Sequence, residues 1–173
     1  NNNRIWATTR DRGIIVLNEN LQLIRQIEYT GTSTNSPKIS RPARVVMGPD
    51  GNIWSCGGNG IIRINTSTFS VDTFGGTPLS RFSNRYCAPV LFTDKNNLWF
   101  ASSRSGVFHY NLLSQSLDSF NTKNGLVSNA IFDLNCDKMK NVYVGTIAGL
   151  NILFPDGRIK SFTQKDGLLI DRA

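Results

Sequence analysis

A repeated pairing of an aromatic anchor with a later glycine runs along this chain. Four segments begin as an apolar strand and, six or seven residues after the anchor ring, contain a glycine that opens a second apolar run. The anchors are Trp6, Trp54, Trp99 and Tyr143, at intervals of 48, 45 and 44 residues. A period of roughly 40 to 50 residues is typical of β-propeller blades and exceeds that of leucine-rich or ankyrin units. The sequence therefore predicts a tandem array of blades.

Each repeat is predicted to form a four-stranded antiparallel meander. In the third repeat, the apolar run at 88–94 ends in turn residues, as a buried inner strand does before a tight hairpin. Strands at 98–101 and 107–110 then flank a polar turn closed by glycine. Residues 116–120 alternate polar and apolar, which suits a half-exposed outer strand. The fold class is therefore all-β, a partial propeller of about four blades.

The chain of 173 residues is predicted to be a single propeller fragment. Its predicted blades are 1–30 without an inner strand, 43–74, 88–120 and 130–162, and 163–173 is the start of a next blade. An open row of blades exposes an apolar face at each end. We therefore expect the remaining blades of a longer parent chain as the partner, with a homodimer or closure into a four-bladed ring as the alternatives.

Few residues suit a metal or cofactor. Cys56, Cys87 and Cys136 are an odd set without CxxC spacing, so they indicate buried thiols, neither a zinc site nor a full disulfide framework. His109 is the single histidine. The sequence predicts no metal, no cofactor and no catalytic residue.

The sequence motifs of the repeats resemble those of a known family. GNIW, NLWF and NVYVGTIAGL, with the linkers NGLVSNAIFDL and DGLLIDRA, are similar to the two-component regulator propeller repeats of periplasmic sensor regions in Bacteroides-type hybrid two-component systems. Residues 125–129 and 145–150 match the family pattern closely, whereas Ser55-Cys56 and Ala101-Ser102 stand where the family prefers Gly-Thr.

This resemblance implies a function. It implies a non-catalytic, ligand-sensing part of a membrane-bound histidine kinase and response regulator, located in the periplasm and joined to the membrane only through the parent protein. Such sensors detect oligosaccharides, so the implied ligand is an oligosaccharide.

Basic residues concentrate in one set of predicted loops. In a four-stranded blade, the link from the outermost strand to the next blade lies at the same end as the turn between the second and third strands. These loops hold eleven of the 19 Lys and Arg residues but three of the 12 acids. Since arginine binds carboxylates and sulfates through paired hydrogen bonds, the loops favour an anionic ligand.

The two longest linkers, 30–42 and 75–88, are the predicted site, because long irregular loops in compact repeats are often functional. The candidate ligand-binding residues are Arg41, Arg44, Arg81, Arg85, Tyr86 and Arg104. Tyr86 offers a ring on which a sugar can stack.

Two other functions remain open. The chain also resembles streptogramin-inactivating propeller lyases, but His109 occupies a strand position held by Val16, Arg63 and Ile152 in the other repeats, which indicates a structural residue. A propeller that binds an acidic protein is the second alternative. Nucleic acid is not expected as a partner, because the basic residues are scattered singly without a recognition motif.

Overall fold

The computed structural model describes residues 3–9, 12–27, 44–58, 60–83 and 85–169. Four antiparallel sheets carry the regular structure, and in each the strands lie side by side in chain order. The predicted all-β class of propeller-type meanders is therefore confirmed. The chain divides into two compact units, Asn1–Cys87 and Ala88–Ala173, which are described separately. That both belong to one propeller fragment stays a prediction.

Within its described residues, the first unit contains two sheets and one short helix. The strands of the three-stranded first sheet are β1 (Ile5–Thr9), β2 (Gly13–Leu17) and β3 (Leu23–Ile27). The strands of the second sheet are β4 (Arg44–Met47), β5 (Ile53–Gly57), β6 (Gly60–Ile64) and β7 (Val71–Asp72). A 3-10 helix at Pro78–Phe82 lies in the linker that follows.

The second unit contains two four-stranded sheets. The strands of the third sheet are β8 (Cys87–Phe92), β9 (Asn97–Ser102), β10 (Gly106–Asn111) and β11 (Leu117–Phe120). The strands of the fourth sheet are β12 (Ile131–Cys136), β13 (Val142–Thr146), β14 (Gly149–Leu153) and β15 (Ile159–Phe162). No helix within the described ranges is long and apolar enough to cross a membrane.

Each unit has an apolar core between its two sheets. The first is built largely from aliphatic side chains of the middle strands and consists of Ile14, Val16, Ile27, Ile53, Ile62 and Ile64. The second joins the third and fourth sheets through Val107, Leu126, Leu134, Val142, Val144 and Leu153. Both sets alternate along their strands, as expected when one face of a sheet packs against its neighbour.

The repeated glycine lies where a side chain does not fit. Gly106 and Gly149 open the third strands of their sheets with φ of +91° and +135°. A Cβ at Gly106 would meet the carbonyl oxygen of Phe120, and one at Gly149 would meet that of Phe162. Glycine both permits the positive φ and lets the turn approach the end of the outer strand.

A buried asparagine holds the linker at 125–129 against the fourth sheet. Asn151 is fully buried in β14, and its side-chain amide nitrogen donates to the Gly125 carbonyl at 3.2 Å and to Ser161 Oγ at 2.7 Å. Its Oδ1 accepts from the Val127 N–H at 3.1 Å. Leu126 is thereby buried in the core of the second unit. These contacts give the family-like linker motif a structural role.

One outer strand is shorter than the sequence pattern predicts. The alternation at 70–74 indicates a full strand, but β7 covers two residues, Val71–Asp72. The Asp72 carboxylate accepts from the Phe74 N–H at 2.8 Å, and Phe74 adopts a positive φ of 56°. This local turn ends the strand, since β ladders require extended backbone.

We expect Gly106→Ala to destabilise the second unit far more than Gly157→Ala. Both glycines have positive φ, so each substitution disfavours the native backbone by about 1–2 kcal/mol. A Cβ at position 157 meets nothing within 4 Å, whereas at 106 it displaces the Phe120 carbonyl. Urea unfolding of the two variants measures the difference. Equal losses would contradict the packing role of Gly106.

Candidate ligand-binding rim

In both units, the linker to the next sheet meets the turn between the second and third strands. The Gly60 N–H donates to the Arg85 carbonyl at 3.0 Å, and the Gly106 N–H donates to the Asn129 carbonyl at 3.3 Å. We call this end of each sheet the rim end. The hydrogen bonds place linker and turn together there.

The linker at 75–87 is fixed by its 3-10 helix. Thr77 caps the helix, because its Oγ1 accepts from the Leu79 N–H and donates to the Phe74 carbonyl at 2.9 Å. Leu79 and Phe82 are each 2% exposed, and the helix packs against β6. A Cβ at Gly60 would meet the Phe82 carbonyl. The helix therefore packs directly against the start of β6.

The two arginines and the tyrosine of this linker are exposed to solvent. Arg81 is exposed, and its guanidinium carbon lies 4.9 Å from the centre of the Phe82 ring. Arg85 is exposed as well, although its backbone is held by Gly60. Tyr86 follows with 45% of its surface exposed. The linker, whose backbone is fixed by its helix and by Gly60, thus presents two cations and one aromatic ring.

The other predicted site residues are distributed over both units. Arg44 is exposed at the start of β4, where it pairs with Cys56, so it shares the rim end of the second sheet with Arg85. Arg104 is exposed in the β9–β10 turn, with φ of 54°, at the rim end of the third sheet. Arg41 lies outside the described residues. The binding role of all six residues stays a prediction.

Acidic groups contribute little to the described rim ends. Among the residues that the structure covers, Asp166 is the one acid in the rim loops defined from the sequence. Its carboxylate accepts from the Thr163 N–H at 2.9 Å and from Thr163 Oγ1 at 3.0 Å, which caps a short 3-10 helix. Because this carboxylate serves as a cap, the arginines determine the sign of the local charge.

The opposite end of the sheets carries a repeated carboxylate, which the sequence argument missed. In the second, third and fourth sheets, the turn between the first and second strands holds an aspartate that accepts from the backbone and side chain of an asparagine at the start of the second strand or just before it. The pairs are Asp50 with Asn52, Asp94 with Asn97 and Asp137 with Asn141. The spacing of Asp before a strand-leading Asn was the available signal.

Two of these aspartates also bind the anchor ring of their repeat. Trp54 Nε1 donates to Asp50 Oδ1 at 3.1 Å, and the Tyr143 hydroxyl donates to Asp137 Oδ2 at 3.0 Å. Partial burial raises the pKa of Asp50, but hydrogen bonds from Asn52 and Trp54 outweigh it, so that the pKa lies below its usual value. The anchor ring is thus part of a turn that needs an ionised carboxylate.

In the third repeat, a lysine replaces the anchor ring as the partner. Lys140 Nζ donates to Asp94 Oδ2 at 2.7 Å and joins the first turns of the third and fourth sheets. This ammonium lowers the pKa of Asp94 to about 2, with help from the Asn96 and Asn97 donors and against partial desolvation. The Asp94 carboxylate therefore stays ionised at neutral pH.

The single histidine is packed. The His109 ring stacks on Trp99 with centroids 4.5 Å apart, and His109 Nε2 lies 2.7 Å from Asn97 Oδ1. His109 Nδ1 lies 3.4 Å from Asp118 Oδ2. Within the part of the chain that the structure covers, no cluster of three His, Cys, Asp or Glu side chains is arranged to hold a metal ion.

Comparisons with known proteins give structural likenesses and no sequence match. No protein-family model matches the sequence, and no curated protein matches it significantly. The extracellular domain of a hybrid two-component system from Bacteroides thetaiotaomicron superposes with a TM-score of 0.76 at 20% identity, over 98% of this chain and 22% of the other. The extracellular domain of a one-component system from B. thetaiotaomicron gives 0.72 at 21% identity, over 91% and 20%.

A lyase shares the fold as well. Virginiamycin B lyase from Staphylococcus aureus superposes with a TM-score of 0.66 at 17% identity, over 92% of this chain and 52% of the other. This chain spans about a fifth of the length of the two Bacteroides chains. At the level of the fold, these likenesses confirm the predicted resemblance to the propeller regions of hybrid two-component systems.

We expect Lys140→Met to lower the melting temperature at neutral pH, because the variant loses the partner of Asp94. The Lys140 side chain is 53% exposed, so the loss is no more than about 1 kcal/mol. The folded-state pKa of Asp94 is lowered, so its contribution is present above the usual value of 3.8 and disappears as the pH falls towards 2.

The melting temperatures of wild type and Lys140→Met should therefore converge as the pH is lowered through this window. Lys138→Met is the matched control, since Lys138 is exposed in the same turn. A gap that persists at the acid end, or an equal loss in the control, would refute the assignment.

Proposed function

We propose that this chain is a ligand-sensing propeller segment from the extracytoplasmic region of a hybrid two-component histidine kinase and response regulator. The extracellular domains of such systems share its fold over nearly its whole length. The sequence motifs of the repeats and linkers support the same assignment. The parent protein supplies the kinase, the remaining blades and the membrane attachment, and the segment works in the periplasm.

The proposed ligand is an anionic oligosaccharide, bound at the rim end. One observation carries this proposal: the hydrogen bond from Gly60 to the Arg85 carbonyl, with the helix seated on β6, anchors the linker that presents Arg81, Arg85 and Tyr86. An anchored guanidinium pair loses less side-chain and backbone freedom on binding a carboxylate or sulfate. The exposed Tyr86 ring provides apolar area for a sugar face.

We propose that the segment itself is not an enzyme, although a lyase shares its fold. His109, the general-base candidate, is stacked on Trp99 and lies within reach of Asn97 and Asp118. It belongs to the β9–β10 pair well inside the sheet, five residues from the rim turn that holds Arg104. A histidine held by these neighbours serves packing first.

Calorimetric titration of the extracytoplasmic region against anionic and neutral oligosaccharides tests the proposal. A sensor of this kind should bind one anionic glycan and show a heat signal that a neutral analogue lacks. An acidic protein partner without glycan binding would favour the protein-interaction alternative. Turnover of any glycan or of a streptogramin would favour an enzyme.

We expect Arg81→Ala with Arg85→Ala to weaken the anionic glycan by at least tenfold, since each charge-assisted hydrogen bond contributes about 1.5–3 kcal/mol. The salt dependence of binding should also flatten, because screened attraction between charges is lost. Titrations at two ionic strengths measure both effects.

The control for the double variant is Arg25→Ala with Lys138→Ala, which removes the same net charge from exposed positions outside the rim loops. Its affinity and salt dependence should match wild type. Equal weakening in both double variants would show a general charge effect, and an unchanged affinity in Arg81→Ala with Arg85→Ala would place the site elsewhere.

A further inference from the structure

A cavity lies in the second unit at the end opposite the rim. It encloses about 360 Å³ between the third and fourth sheets. One wall comes from the β8–β9 turn and the strands behind it, and the other from the β12–β13 and β14–β15 turns. The lining residues used below are Asp94, Trp99, His109, Phe120, Lys140 and Arg158. This volume is within the range of small-molecule sites.

The floor of the cavity is a fixed aromatic platform. Trp99 is stacked with His109 at 4.5 Å and with Phe120 at 5.5 Å between ring centroids. Asn97 Oδ1, 2.7 Å from His109 Nε2, and Asp118 orient the imidazole from its two nitrogens. Trp99 and His109 are half-buried, so part of the platform remains open. A platform of this kind suits a flat or pyranose ring.

Two cations stand at the mouth. Lys140 Nζ contacts Asp94 Oδ2 at 2.7 Å, and Arg158 Nε contacts Asp156 Oδ2 at 2.7 Å. The Arg158 side chain is 73% exposed, and its guanidinium carbon lies 4.8 Å from the centre of the Phe154 ring. An ammonium has three N–H donors and a guanidinium five. Each cation therefore retains donors for a ligand beyond its intramolecular bond.

The single lining carboxylate does not reverse the sign of the charge. Asp94 Oδ1 already accepts from Asn96 N, Asn97 N and Asn97 Nδ2, and Oδ2 accepts from Lys140. Among the lining residues, Lys140 and Arg158 outnumber Asp94, and Asp156, the partner of Arg158, lies outside the lining. An anionic group can therefore be bound through the N–H donors that the two paired cations retain.

We propose that this cavity binds one six-membered ring that carries a carboxylate, with the ring over the Trp99 platform and the carboxylate on Arg158 and Lys140. Both a uronic acid and an aromatic acid have this chemistry. The proposal is independent of the rim site, because its residues lie at the other end of the sheets and in turns that the rim proposal does not use.

Nuclear magnetic resonance of the ¹⁵N-labelled chain of 173 residues tests the proposal. Glucuronate and 4-hydroxybenzoate are titrated separately, with glucose and acetate as controls that lack the carboxylate or the ring. The indole N–H signals report binding, and Trp99→Phe identifies the signal of Trp99. We expect a saturable shift of that signal, while those of Trp6 and Trp54, outside the cavity lining, stay in place.

Substitution of the arginine separates a specific site from general charge attraction. Arg158→Gln should weaken the acid that binds by about tenfold or more, as expected for the loss of a charge-assisted contact. Lys123→Gln is the matched control, since Lys123 is an exposed cation of the same unit that lies outside the cavity lining. It should leave the Trp99 titration unchanged. Circular dichroism verifies that both variants fold.

The outcomes are distinct. Saturation by glucuronate alone supports the proposal with a sugar acid as ligand, and saturation by 4-hydroxybenzoate alone supports it with an aromatic acid. No saturable shift with either acid, an equal shift with glucose, or an unchanged affinity in Arg158→Gln would overturn it. Since the Trp99 signal reports locally, glycan binding at the rim can succeed or fail without changing this result.

Discussion

The sheets depend on a close backbone contact between a turn and the outer strand that leaves no room for a Cβ atom. At Gly106 and Gly149, the turn between the second and third strands passes against the carbonyl of the last residue of the outer strand. The N–H of Gly106 also donates a hydrogen bond to the Asn129 carbonyl of the linker that follows the sheet. One backbone position thus joins turn, outer strand and linker, and any side chain there would separate them. This is why the glycine recurs at a nearly constant distance from the anchor ring.

The sequence was sufficient to predict the features of the fold that depend on local patterns. Period, strand alternation and the turn glycines predicted the all-β meanders, because each strand pairs with its neighbour in the chain. It was insufficient where side chains override the pattern: Asp72 ends β7 early through its bond to Phe74, and the linker helix depends on Leu79 and Phe82 finding a seat on β6. The cavity was beyond reach because Asp94 and Lys140 are 46 residues apart and meet only when two sheets pack.

The two ends of the sheets differ in how they use charge. At the rim, Arg81 and Arg85 are held by their backbone and by an apolar seat, so the guanidinium groups face solvent. At the other end, Asp50 and Asp137 accept hydrogen bonds from their own turn and from an anchor ring, so their carboxylates serve to hold the turn. Cations are therefore exposed at one end, and carboxylates maintain turn geometry at the other. Such a division lets the exposed side chains vary without weakening the turns.

The buried amide of Asn151 has a consequence for the order in which the chain becomes compact. It supplies both a donor and an acceptor to the linker that precedes its own sheet, across 24 residues to Val127. During synthesis from the ribosome, Gly125 and Val127 lack these two contacts until β14 has emerged. Leu126 therefore leaves water only when the fourth sheet packs against the third.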